Sequence, residues 1–209
     1  MTGKQNERGE IITVAMTGAS GAAYGFRLME VLAERGSRIF VLISDTARVV
    51  LAAELGVRLP QRPSEVGSFL SKRFCAGPGQ LRVFGNDEWS APVASGSGAP
   101  GRMVICPCST GTLSAIACGS SDSLLERAAD VVLKERGQLI VVPREMPFSE
   151  IHLENMLRLA RMGVTVLPAC PSFYNKPSVI ADVLDSVVAR ILDHLGIGHH
   201  LQSRWGCDD

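Results

Sequence analysis

The chain has 209 residues, 46% of them hydrophobic, with Lys plus Arg equal to Asp plus Glu at 21 each. That length suits one domain with a sizeable core, and a charge balance without a basic block gives no basis for binding nucleic acid or another polyanion. Aromatic residues are only 5% while Gly reaches 21 and Pro 11, so the apolar content sits in aliphatic runs separated by tight turns.

Residues 1–10 are polar and read as a mobile arm. They lack the apolar core of a signal peptide, and no apolar run reaches the length of a membrane span, so the expected location is cytoplasmic. The six cysteines, at 75, 106, 108, 118, 170 and 207, form no pair of C-x-x-C units and fit free, partly buried thiols of an intracellular protein.

Ile11 to Met16 is a nearly continuous apolar run, as expected for a parallel strand covered on both faces. Thr17-Gly18-Ala19-Ser20-Gly21 follows, and then Ala22 to Arg35 carries Leu28, Val31 and Leu32 at helical spacing before Gly36 stops it. Strand, glycine turn and helix start in that order bring backbone N–H groups to the carboxyl end of a strand, where a phosphate can sit. The spacing Gly18-x-x-Gly21-x-x-x-Gly25 departs from the dinucleotide fingerprint and the Walker lysine is absent, which leaves a plain strand-to-helix turn as the alternative. Ser20 either caps the helix or faces a bound group.

Arg38 to Ile43 is a second strand, ending in Ser44 and Asp45 before a helix from Thr46 to Leu55. Both polar residues can cap that helix or bind a ligand at the same sheet edge as the first turn. Residues 56 to 101 are the least regular. Phe69 to Phe74 closes a short helix, Leu81 to Phe84 is a short strand, Trp89 suits an interface or the core, and Ala94 to Gly101 reads as a flexible lid or surface loop.

Arg102 to Cys106 is the next core strand, and Pro107-Cys108-Ser109-Thr110-Gly111-Thr112 leads into a helix ending near Cys118. Small hydroxyl residues again stand between strand and helix, so a crevice with two helix N-termini is expected, suited to one anchored phosphate and a flat ring. Cys108 has no histidine nearby in sequence, which argues against a nucleophile. Leu124 to Arg136 is a helix whose Arg127, Asp130 and Lys134 have the spacing of surface pairs.

Gln138 to Val142 is a further strand, and Pro143-Arg144-Glu145-Met146-Pro147 leaves its end. The prolines restrain a turn that holds an arginine able to grip a phosphate and a glutamate able to move a proton. Ser149 to Met162 is a helix capped by Ser149, with His152 as a surface or packing residue, and Val164 to Leu167 is the last strand. A proline-restrained loop then carries Tyr174 and Lys176, both able to donate to a phosphate. Val179 to Leu195 is a long helix with Arg190 facing solvent or another subunit. His199 and His200 alone are a weak metal signal. The alternation predicts a three-layer α/β/α fold around a doubly wound, mainly parallel, flavodoxin- or Rossmann-like sheet. Residues 11–195 form its one domain, and 196–209 a tail that can pack on a neighbouring subunit.

Together and in this order, Thr17-Gly18-Ala19-Ser20-Gly21, Cys106-Pro107-Cys108-Ser109-Thr110, Arg127 to Val131 with Lys134-Glu135, Pro143-Arg144-Glu145 and Pro171-x-Phe173-Tyr174 make nearly the whole chain resemble the UbiX family of flavin prenyltransferases, within the homo-oligomeric flavin-containing cysteine decarboxylases. The resemblance implies transfer of a dimethylallyl group from dimethylallyl monophosphate to N5 and C6 of reduced FMN, without a metal, in a homododecamer with sites shared between subunits. It further implies that the prenylated FMN is passed to a UbiD-type decarboxylase, in ubiquinone biosynthesis or aromatic acid metabolism. By position, it assigns Gly18, Ser20, Ser44, Ser109, Thr110 and Arg144 to the flavin, and Lys134, Glu145, Tyr174 and Arg190 to the surroundings of the substrate phosphate. Ser20 and Glu145 are the implied proton-handling residues. The alternative within the same group is an FMN-dependent cysteine decarboxylase, but the histidine after the early helix and the Asn-containing motif of those enzymes have no counterpart here. A flavin or nucleotide sensor without catalysis is the third reading, favoured if Lys134, Tyr174 and Arg190 share no pocket.

Overall fold

The computed structural model describes residues 11–203, so the expected arm at 1–10 and the last six residues of the expected tail lie outside the described residues. Six parallel strands form one sheet: β1 (Ile11–Met16), β2 (Arg38–Ile43), β3 (Leu81–Phe84), β4 (Arg102–Cys108), β5 (Gln138–Pro143) and β6 (Thr165–Val166). Their order is β3-β2-β1-β4-β5-β6, so the chain starts in the middle, winds to one edge, then returns and winds to the other. That reversal between β1 and β4 is the place where a doubly wound sheet opens a crevice at its carboxyl edge.

Among the described residues, seven helices cover the two faces: α1 (Ala22–Glu34), α2 (Asp45–Leu55), α3 (Pro63–Arg73), α4 (Thr110–Cys118), α5 (Leu124–Lys134), α6 (Glu150–Arg161) and α7 (Ile180–Leu195). Strand residues alternate between them. Val14, Met16, Val104, Cys106, Ile140 and Val142 pack against the layer containing α1 and α7, while Ala15, Met103, Ile105, Leu139 and Val141 pack against α4 and α5. Both faces are buried, which is why the strands read as unbroken apolar runs rather than alternating ones. The layers are the expected α/β/α arrangement.

Two local expectations change. The helix before β3 is a full α3 that starts with Pro63 at its first turn, a position proline favours. Only Val66 and Leu70 of it are buried, too few to give a visible apolar stripe. Residues 94–101 do not form an open lid. A short 3-10 turn (Pro92–Ala94) leads into hydrogen bonds from Gly98 and Ala99 N–H to Ser95 O, and Ala99 and Pro100 are buried. The stretch is pinned to α5 by Arg127, whose Nε donates to Ala94 O at 3.1 Å. The tail also begins on its own chain: Gly196 ends α7 with φ 69°, and Ile197 and Leu201 pack back against the core. No described helix is long and apolar enough to cross a membrane.

Candidate active site

Four strand ends are laced together by short polar contacts. Thr17, only 2% exposed at the end of β1, donates from both its backbone N–H and its hydroxyl to Pro107 O, and its hydroxyl accepts from Ser109 N–H at 2.7 Å. Ser44 N–H donates to Met16 O, and Arg144 N–H to Cys108 O. The turns after β1, β2, β4 and β5 are thereby fixed to one another. Gly18, Ser20, Ser44, Ser109, Thr110 and Arg144 all stand on this carboxyl edge, as expected. Thr17 had no assigned role, yet it ties the first turn to the third. Gly18 is held tightly, since a Cβ there would lie 2.6 Å from Thr46 Cβ.

The first turn departs from expectation in what occupies its helix. Ser20 does not cap α1. The N-cap is Gly21 at φ 108°, where only glycine is at ease, and the capping oxygen comes from Glu54 at the end of α2. Its carboxylate accepts from Gly21 N–H at 3.0 Å and from Ala22 N–H at 2.9 Å. Burial would raise the Glu54 pKa, but the Ser20 hydroxyl, these two amides and the nearby Arg144 outweigh it and hold the carboxyl below its ordinary value. A carboxylate therefore sits where a phosphate was expected. The equivalent N–H groups of α4 are differently arranged: Ser109 caps Thr112, and Thr110 and Gly111 N–H have no partner among the described residues. Ser44 likewise caps Ala47 at the start of α2. The donors left open to an anion are therefore those of the turn after β4, with the Arg144 guanidinium on the neighbouring turn.

Arg144 is exposed and donates from Nε to Ser20 O at 3.3 Å, which brings the first and fourth turns together. Glu145 is half-buried, and its Oε1 accepts from Met146 N–H at 3.1 Å. The donor set fits a flavin mononucleotide: hydroxyls and free amides for an anion, a guanidinium, and tight apolar turns beside them. Cys108 does not fit a nucleophile. It is fully buried, and burial pushes its thiol up to about 12.

Beyond the fourth turn, Ala169 N–H donates to Pro143 O, and the following loop opens a cavity of about 660 Å³. Tyr174 and Arg190 both line it, together with Asn175, Asp193 and His199. Lys176 is exposed and outside that lining. Lys134 is elsewhere. It ends α5, which starts beside the carboxyl edge, where Leu124 N–H meets Asn86 O, and descends to the opposite edge where β5 begins. There Lys134 pairs with Glu135 and lines a separate surface cavity with Arg158. One chain thus unites two of the three expected phosphate-gripping residues and leaves Lys134 on the far side of the sheet.

Fold and site define a flavin- or nucleotide-binding α/β protein with a second cavity lined by Tyr174 and Arg190. The family model described as Flavoprotein matches residues 1–192. The flavin prenyltransferase UbiX of Pseudomonas aeruginosa is 55% identical over 197 residues, covering 94% of each chain. Among solved structures, AnUbiX in complex with FMN and dimethylallyl pyrophosphate superimposes with a TM-score of 0.84 at 37% identity, covering 96% of this chain and 99% of that one. A dodecameric FMN-dependent UbiX-like decarboxylase from Escherichia coli superimposes at 0.81 with 39% identity, covering 94% and 100%. The chain belongs to the flavoprotein family and, within it, to the UbiX flavin prenyltransferases.

Proposed function

We propose that this chain is a flavin prenyltransferase that joins the dimethylallyl group of dimethylallyl monophosphate to N5 and C6 of reduced FMN. The observation that carries the reading is that Tyr174 and Arg190 share one cavity, whose lining begins at Cys170, directly after Ala169 N–H meets Pro143 O beside the Arg144 turn.

Reduced FMN supplies the nucleophilic nitrogen. The residues supply position and charge. Holding donor and acceptor at bonding distance removes much of the barrier. As the allylic C–O bond breaks and the N5–C bond forms, negative charge grows on the departing phosphate, where the Arg190 guanidinium and the Tyr174 phenol donate to it. Alkylation would free the N5 proton, and closing the ring would exchange the C6 proton for one on the alkene carbon, so in net one proton leaves the flavin. Glu145 steers the released phosphate, which accepts that proton, and Ser20 orients or relays it beside N5. Lys134 joins this group from a neighbouring copy in a homo-oligomer, for which a dodecamer is the family precedent. Prenylated FMN then passes to a UbiD-type decarboxylase.

The test is anaerobic. Purified protein, reduced FMN and dimethylallyl monophosphate should give a flavin heavier by one five-carbon unit, read by mass and absorbance. Flavin of unchanged mass, with binding demonstrated and the donor intact, rejects the proposal.

A further inference from the structure

The segment after α7 reaches under the Tyr174 and Arg190 cavity. Gly196 turns the chain back, Ile197 and Leu201 anchor it on the core, and His199 is carried beneath the cavity with its side chain 4% exposed. Both ring nitrogens are engaged. Leu201 N–H donates to Nδ1 at 3.4 Å, and Nε2 lies 3.2 Å from Asp193 Oδ1. A ring nitrogen that accepts from an amide carries no proton, so the pattern assigns Nε2 as the donor to Asp193.

The other oxygen of Asp193 accepts from Arg190 Nη1 at 2.8 Å. Burial would raise the Asp193 pKa, but the bonds from His199 and Arg190 outweigh it and hold the carboxyl below its ordinary value. An ion pair three residues apart on a helix surface is commonly loose and contributes little. This one is not loose at its acidic end. Exposure falls from 58% at Arg190 through 23% at Asp193 to 4% at His199, so the guanidinium is tied through the carboxylate to a buried, doubly bonded ring.

We infer that Asp193 and His199 are positioning residues that hold the Arg190 guanidinium in the cavity, ready for the substrate phosphate. The inference rests on the reading of that cavity as the phosphate site. Arginine has five N–H donors and Asp193 takes one by this bond, which leaves enough for a bidentate grip on a phosphate. The same segment braces the opposite wall, where Asn175 Nδ2 donates to Gln202 Oε1 at 3.2 Å beside Tyr174.

The sign of one measurement separates positioning from simple charge. If Asp193 acted only as a negative neighbour, removing its charge would tighten anion binding. If it holds Arg190, the same change weakens it. Calorimetric titration of the full chain with inorganic phosphate is therefore compared for wild type, Asp193→Asn, His199→Phe and His199→Gln, alongside kcat and KM for dimethylallyl monophosphate. FMN affinity serves as the check of folding. Asp193→Asn and His199→Phe should weaken phosphate by about tenfold and lower kcat/KM for the donor by at least as much, because the misaligned guanidinium serves the departing phosphate as well as the bound one. His199→Gln, whose amide can still donate to Asp193, should recover most of the loss. Unchanged or tighter phosphate binding in Asp193→Asn overturns the inference, as does a wild type that binds no phosphate. If the wild type makes no prenylated flavin, the proposed function fails by itself, and the phosphate titration still decides the role of Asp193.

Discussion

At the residue scale, two carboxylates at the crevice have separable jobs. Glu145 lies on the turn that holds Arg144, and its proposed part is in proton handling. Glu145→Gln keeps the shape and removes the charge, so kcat for prenyl transfer should drop by about 100-fold with FMN binding intact, the usual scale for losing a group that handles a proton. Single-turnover absorbance measures this, and an unaltered rate takes Glu145 out of the chemistry. Glu54 is different, since its carboxylate closes the N-terminus of α1. Its folded pKa lies below the ordinary value, so its contribution is complete above the unfolded glutamate value and is lost as pH falls through the lowered one. Glu54→Gln should therefore lower Tm near neutral pH by about 2 °C, a small effect because the side chain is solvent-exposed, and the gap from wild type should close in acid. Thermal scans from pH 7 to pH 3 check it, and a gap that widens in acid contradicts the assignment. Arg144, Ser44 and Ser109 were legible in the sequence because each follows an apolar strand directly. Glu54 was not, because it reaches Gly21 across 33 residues and nothing in a helix-ending Ala-Glu-Leu marks the contact.

At the element scale, the sheet was readable for a physical reason: burial on both faces demands apolar runs, and their turn residues punctuate them. What could not be read was how closely the layers approach. Gly25 is the fourth residue of α1, inside the helix, where glycine costs stability relative to alanine. In the sequence it looks like part of a loose phosphate fingerprint. In the fold it lets α1 lie against β4, because a Cβ at that position would be 2.3 Å from Cys106 O and 2.9 Å from Met16 Cε. The carbonyl belongs to a central strand and cannot yield. Gly25→Ala should therefore destabilise the protein by about 2–3 kcal/mol despite its better helix propensity, lowering Tm by roughly 5–10 °C. Thermal unfolding by circular dichroism tests this. An unchanged or higher Tm would mean that α1 can lift away from the sheet at little cost. The α1–α7 clamp, in which Arg27 forks onto Asp185 and also reaches Glu30, makes such a shift harder.

At the scale of the whole molecule, the position of Lys134 carries the argument. Residue type and family resemblance put it with Tyr174 and Arg190, yet α5 lies on the opposite face of the sheet from α7. No side-chain rearrangement within one chain spans that separation, because the sheet itself stands between them. The two observations agree if the phosphate site is completed across a subunit boundary. Exposed apolar residues are available for such a boundary, among them Ile151, Leu153 and Leu157 on α6 and Phe173 beside Tyr174. The resemblance implied shared sites, but the residues themselves could not show where the boundary runs, since a helix face that meets another copy reads like any amphipathic surface. Lys134→Ala and Arg190→Ala, each expected to be nearly inactive alone, should then complement one another. After separate purification, dissociation and joint reassembly at equal amounts, roughly a quarter of the sites should receive intact Arg190 from one copy and intact Lys134 from its neighbour. Prenyl transfer should return to about that fraction of the wild-type rate, with neither variant recovering when reassembled alone. Wild type carried through the same cycle sets the reference. Absence of complementation, with mixed oligomers demonstrated by mass and wild type recovering fully, would place Lys134 outside the site altogether and leave the phosphate to Arg190 and Tyr174.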